Sequence, residues 1–127
     1  KTKNFHWHMH GPHFRDYHLL LDEQAAEIIG TTDAIAERVR KIGLRTLTSI
    51  GSITRHQSLK DSDDSNLSAE QMLEDLRTDN LAYIAKLKEA KALCEETGDN
   101  ATDGLIDDWT DMAEERAWFL ASTLEKN

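Results

Sequence analysis

Apolar residues recur at alternating steps of four and three along three long stretches of this chain, the spacing of a buried helix face. The first stretch carries Leu21, Ala25, Ile28, Thr32, Ile35, Val39 and Ile42, and predicts a helix from about His13 to Ile42. Pro12 stands where a helix can start and Gly43 where it can end. Upstream, Lys1 to His10 reads as the tail of another helix stopped by Gly11-Pro12, so the first helix is expected in truncated form. The second stretch runs through Leu73, Leu76, Asn80, Tyr83, Leu87, Ala90 and Cys94. Ser68 begins it, Gln71 completes a capping box three residues on, and Gly98 closes it. A last helix is expected from about Thr102 to Leu124, burying Leu105, Trp109, Met112, Phe119 and Leu120.

Between the first and second stretches lies a long polar connection, residues 43–66, with a short helix expected near Leu44 to Ile50. That length suits a crossover between parallel helices better than a tight hairpin. Gly30-Thr31-Thr32 could cap a new helix before Asp33. The apolar stripe keeps its phase across the glycine, which argues for one continuous helix. The expected architecture is a single all-α domain over residues 1–127, a four-helix bundle with a long crossover.

Composition narrows the partners. Fifteen Lys and Arg against 24 Asp and Glu leave a formal net charge of −9. Such a surface repels nucleic acid and anionic membranes and favours cations. The single cysteine, Cys94, forms no intrachain disulfide, fits a reducing compartment and reads as a buried apolar residue rather than a reactive thiol. No apolar run reaches eighteen residues, so no membrane span is expected, and no signal peptide is visible.

The chemistry concentrates on one flank of the first long helix. At about 100° per residue, His18, Asp22, Asp33 and Glu37 fall within roughly a quarter turn. They form two i,i+4 pairs, His18/Asp22 and Asp33/Glu37. At about 1.5 Å of rise per residue, some 16 Å separate Asp22 from Asp33, too far for one metal ion. Two such helices packed antiparallel bring each pair opposite the other. Pairing 18 with 37 and 22 with 33 gives residue numbers with one common sum, 55, and the same rule sets Ala26 against Ile29. The two-fold therefore has an apolar centre flanked by two identical sites. With His6 twelve residues before His18, the donors mix imidazole and carboxylate, a set suited to Fe(II), Mn(II) or Zn(II). The same residues also fit a plain solvated flank on a helical scaffold, and spacing alone does not separate the two.

A resemblance does. His6-Trp7, Gly11-Pro12-x-Phe14, His18-x3-Asp22-Glu23-Gln24, Asp33-x3-Glu37-Arg38 and Ile42-Gly43 resemble the Dps family of ferritin-like mini-ferritins. So do Glu74-Asp75-Leu76-x2-Asp79-Asn80 and Ala117-Trp118-Phe119-Leu120, and the likeness covers nearly the whole chain. It implies a ferritin-like bundle assembled as a hollow dodecamer, with a ferroxidase centre shared across antiparallel two-fold dimers. His6, His18 and Asp22 would come from one subunit, and Asp33 and Glu37 from its neighbour. The implied activity is oxidation of Fe(II), preferentially by hydrogen peroxide rather than oxygen, with ferric oxide stored in the shell. That activity protects a cytoplasm from oxidative damage. The family's alternative role, compaction of the nucleoid by DNA binding, calls for a basic extension that is not in this sequence. Trp7 would lie beside the centre, either intercepting stray oxidising equivalents or packing a helix end. His8, His10 and His13 suggest an accessory metal site or a solvated turn. Asp99, Asp103, Asp107, Asp108 and Asp111 suggest an entry pore or an acidic face. No Glu-x-x-His occurs, so the in-bundle ligand pattern of larger ferritins is absent.

Overall fold

The computed structural model describes residues 1–126, all helix and connection. The helices are α1 (Thr2–His8), α2 (Phe14–Lys41), α3 (Ile50–His56), α4 (Ala69–Thr97) and α5 (Asn100–Leu124). The helix α2 passes through Gly30 without a break. Thr31 and Thr32 do not cap there; each hydroxyl donates to the carbonyl three residues back, at 2.7 Å.

Local chemistry accounts for most of the ends. Ser68 and Gln71 form the reciprocal capping box that opens α4. Gly98 closes α4 in the left-handed region, φ +75°, where a side chain would strain the backbone. Asp99 immediately caps α5 by accepting from the Thr102 N–H. The expected short crossover helix lies further along, at Ile50 to His56 instead of Leu44 to Ile50. Ser49 and Ser52 make a serine–serine capping box that fixes its start, a signal the apolar pattern of the preceding residues obscured.

Cross-helix contacts order the bundle. Leu21 of α2 shares a core cluster with Leu73 of α4 and Leu120 of α5. Further along α2, Glu27 meets Arg116, and Arg38 meets Asp99 and Thr102. So α2 runs parallel to α4 and antiparallel to α5, and the 42–68 segment is a crossover. Phe5 and Met9 seal the α1 end of the same cluster. On α5 the expected stripe is right in part: Leu120 is fully buried, Leu105, Trp109 and Met112 are half-buried, and Phe119 is turned outward. The buried residues of α5 are Ile106, Ala113, Arg116, Ala117 and Leu120, whereas Phe119 is 41% exposed. A buried arginine in an apolar stripe is invisible to hydrophobic periodicity. Asn80 accepts from Arg116 Nε at 2.9 Å, and Glu27 pairs with its Nη1.

Candidate metal centre

The α1–α2 hairpin builds the centre. At Met9 the backbone turns extended, and Gly11 takes φ +110°. That reversal lays α1 antiparallel on α2, so His6 meets His18 and Lys3 meets Asp22. Four carbonyls at a helix C-terminus lack intrahelical partners, and the His6 carbonyl is one of them in α1. The His18 Nδ1–H donates to it at 2.8 Å. In return the His6 Nδ1–H donates to the His18 carbonyl at 2.7 Å, using that oxygen's second lone pair.

These crossed bonds decide the chemistry of both rings. A carbonyl can only accept, so each Nδ1 carries a proton, and the neutral form of each ring is the tautomer with a bare Nε2. That is the tautomer of a metal-ligating histidine oriented by its second nitrogen. The rings stack with centroids 3.8 Å apart and 15° between planes, and Phe14 stacks on the other side of His18 at 5.0 Å. His6 is buried. Its Nε2 lies 3.7 Å from Asp22 Oδ1, so in the neutral ring a nitrogen lone pair faces a carboxylate oxygen. Two acceptors so placed call for a cation. Lys3 supplies one here, its Nζ donating to Asp22 Oδ1 at 2.5 Å. That bond holds the Asp22 carboxyl below the usual carboxylate range.

Three of the five sequence-predicted residues, His6, His18 and Asp22, are thus brought together. Asp33 and Glu37 are not. They stand exposed on the same flank of α2, about 16 Å along its axis. Among the described residues, no three His, Cys, Asp or Glu side chains are arranged to hold a metal ion within one chain. Ala26 and Ile29, between the two pairs, are exposed, Ile29 by 61%.

The other candidates resolve separately. His8 Nδ1 engages the Asn4 carbonyl, His10 Nδ1 the His8 carbonyl, and His13 packs on Tyr17, so the three rings share no focus. Trp7 is 65% exposed and lines a groove with Asn4, His8 and the 62–65 segment at the end of α1. Among the acids, Asp99 caps α5 and pairs with Arg38, while Asp103 and Asp107 both hold Lys91. Asp108 and Asp111 remain exposed. Lys3 is the residue that sequence reasoning missed; its i,i+3 spacing to His6 on a helical segment was the available signal.

Comparison with known proteins gives this geometry its context. The sequence profile of the ferritin-like domain family, Ferritin, matches residues 1–127. The "DNA protection during starvation protein" of Brevibacillus brevis is 30% identical over 125 residues, spanning 98% of this chain and 83% of that protein. This chain belongs to the Dps family. A low temperature-induced protein of Nostoc is 34% identical, over 98% of this chain and 70% of its own length. The crystal structure of a Dps protein from Bacillus brevis superposes with a TM-score of 0.94 at 30% identity, covering 98% of this chain and 83% of that one. Dps from Thermosynechococcus elongatus gives 0.95 at 27%, covering 99% and 80%. The ferritin-like, all-α Dps fold is therefore the architecture of this chain. Among the described residues no helix is long and apolar enough to cross a membrane.

Proposed function

We propose that two copies of this chain pack α2 against α2 in antiparallel register, forming two shared ferroxidase centres. Each centre takes His6, His18 and Asp22 from one subunit and the partner subunit's Asp33 and Glu37. The observation that carries this reading is the pair of crossed Nδ1–carbonyl bonds, which leaves both Nε2 atoms free to bind, that of His6 3.7 Å from Asp22 Oδ1. The exposed apolar pair Ala26 and Ile29 supports the register, since it would lie at the two-fold.

Iron is the substrate. Two Fe(II) ions each give up one electron; hydrogen peroxide takes both with two protons and leaves as two waters. Passing both electrons together avoids the one-electron reduction that releases hydroxyl radical. His6 and His18 bind through Nε2, and the carboxylates hold the ion as its charge rises, a donor set that suits iron in both states. Molecular oxygen is the slower oxidant in this reading. Dimers assemble into a dodecameric shell that stores ferric oxide in the cytoplasm. DNA compaction is the weaker role, because the net charge of −9 opposes it.

Subunit complementation tests the shared centre. The H18A/D22A and D33A/E37A double variants each lose peroxide-driven Fe(II) oxidation. Refolded together in equal amounts, half of the dimers are mixed and each mixed dimer regains one intact centre. Recovery of about a quarter of the wild-type sites is expected. No recovery, with dimers formed, overturns the intersubunit site.

A further inference from the structure

Between α2 and α5 lies a groove of about 220 Å³, walled by Leu20, Glu23 and Glu27 of α2 and by Glu115 and Phe119 of α5. It stands apart from the residues of the metal centre. Gln24 lies at its floor, only 6% exposed. The Gln24 Nε2 donates to the Arg116 carbonyl at 3.3 Å. A carbonyl can only accept, so that bond fixes which way the amide points and leaves Oε1 as the free end. Oε1 is buried and meets no donor among the described residues. A buried acceptor without a donor carries its whole desolvation cost, so the groove calls for a ligand that donates.

Charge and shape narrow the ligand. Glu27 is already paired with Arg116, whereas neither Glu23 nor Glu115 has an ion-pair partner among the described residues. Two exposed carboxylates on opposite walls therefore remain to be neutralised. They do not close into a metal cage, since among the described residues no three His, Cys, Asp or Glu side chains are arranged to hold an ion. Leu20 and Phe119 add apolar lining that a bare ion leaves unused and a methylene chain covers. The volume falls below the roughly 300 Å³ at which pockets for drug-sized ligands begin, so the ligand is short.

We propose that this groove binds a short aliphatic diamine in its doubly protonated form. One ammonium donates to Gln24 Oε1 and stands beside Glu23, the other pairs with Glu115, and the methylenes lie along Leu20 and Phe119. Aliphatic amines hold their protons at neutral pH, as lysine does with a pKa of about 10.4. Binding joins α2 to α5 and stabilises the folded chain by mass action. The inference is independent of the ferroxidase reading.

Calorimetric titration of the metal-free protein with 1,4-diaminobutane at physiological salt tests it. The wild type should bind one diamine per chain, and 1-aminobutane, with one charge, at least ten-fold more weakly. Gln24→Met keeps the length of the side chain and removes the acceptor; Glu115→Gln keeps the shape and removes the charge. Each should weaken diamine binding by about ten-fold or more, the size of a lost charge-assisted hydrogen bond. Asp61→Asn removes the same charge from the crossover, away from the groove, and should leave the affinity within about two-fold. No saturable binding to the wild type overturns the proposal. So does equal weakening by Asp61→Asn and Glu115→Gln, which would mark general attraction to a chain of net charge −9. Displacement of the diamine by an equal concentration of Mg(II) would overturn it in favour of a metal site. Should Gln24→Met fail to fold, the comparison of the two surface variants decides alone.

Discussion

His6 and His18 each donate a hydrogen bond to the other's backbone carbonyl, at 2.7 and 2.8 Å, across an antiparallel helix pair. This reciprocity makes the two rings one unit: neither can flip without leaving a carbonyl and a ring nitrogen unmatched. It also lets binding and folding be separated by substitution. An asparagine amide can donate from near the Nδ1 position but offers nothing at Nε2. His18→Asn should therefore keep the melting temperature within a few degrees of wild type. Its Fe(II) oxidation and Co(II) affinity should fall by about ten- to a hundred-fold. Stopped-flow absorbance and calorimetry read both.

Gly11 determines whether that unit assembles. Its φ of +110° is strained for any other residue, although a Cβ would meet nothing within 4 Å. Gly11→Ala should cost about 1–3 kcal/mol of stability, read by urea titration, with a parallel loss of oxidation rate as α1 loses its register on α2.

Arg116 is the buried charge that the bundle must keep paired. It is 5% exposed, bonds Asn80 and Glu27, and accepts through its own carbonyl from Gln24 Nε2 at 3.3 Å. Removing the arginine leaves Asn80 Oδ1 and Glu27 short of a donor. Arg116→Met should destabilise by about 3 kcal/mol in denaturant unfolding. Pairing it with Glu27→Gln should recover part of that loss.

Asp99 couples stability to acid. The Thr102 hydroxyl at 2.6 Å and the Thr102 N–H at 3.1 Å donate to its carboxylate, and Arg38 adds a third bond. Its carboxyl is held below the ordinary range. A carboxyl depressed in the native state contributes fully above its unfolded value, near about pH 4, and loses that contribution as pH falls through the native value. Thermal melts of Asp99→Ala and wild type should differ most at neutral pH and converge in acid.

Cys94 should behave as core. Burial, and then the neighbouring Asp99 and Asp103 carboxylates, push its thiol above the ordinary value. Alkylation of the native protein at pH 8 should be slow and should become fast in urea. Rapid labelling of the folded protein would contradict this packing.

Much of this molecule was legible in one dimension because its signals are local. The Ser68–Gln71 box and Gly98 depend on neighbours within four residues and stand as read, while of the α2 stripe Leu21 and Ala25 are buried and Thr32 and Ile42 are exposed. The His18/Asp22 and Asp33/Glu37 pairs were equally legible, because i,i+4 spacing on an unbroken helix fixes which side chains adjoin. Where periodicity failed, the deciding partner was distant. The buried place of Arg116 on α5 depends on Glu27, 89 residues away. The position of α3 depends on a serine pair, not on apolar spacing.

The sequence by itself determined the long helices, the Ser68–Gln71 and Gly98 ends of α4 and the separation of the His18/Asp22 and Asp33/Glu37 pairs, since backbone geometry and nearest neighbours suffice for those. Only the tertiary structure decided that two histidines on different helices lock each other's tautomer, and that Lys3 pairs with Asp22. Those outcomes require α1 to fold back onto α2. The hydrogen bonds that result join residues 12 and 19 positions apart, beyond the reach of any local rule.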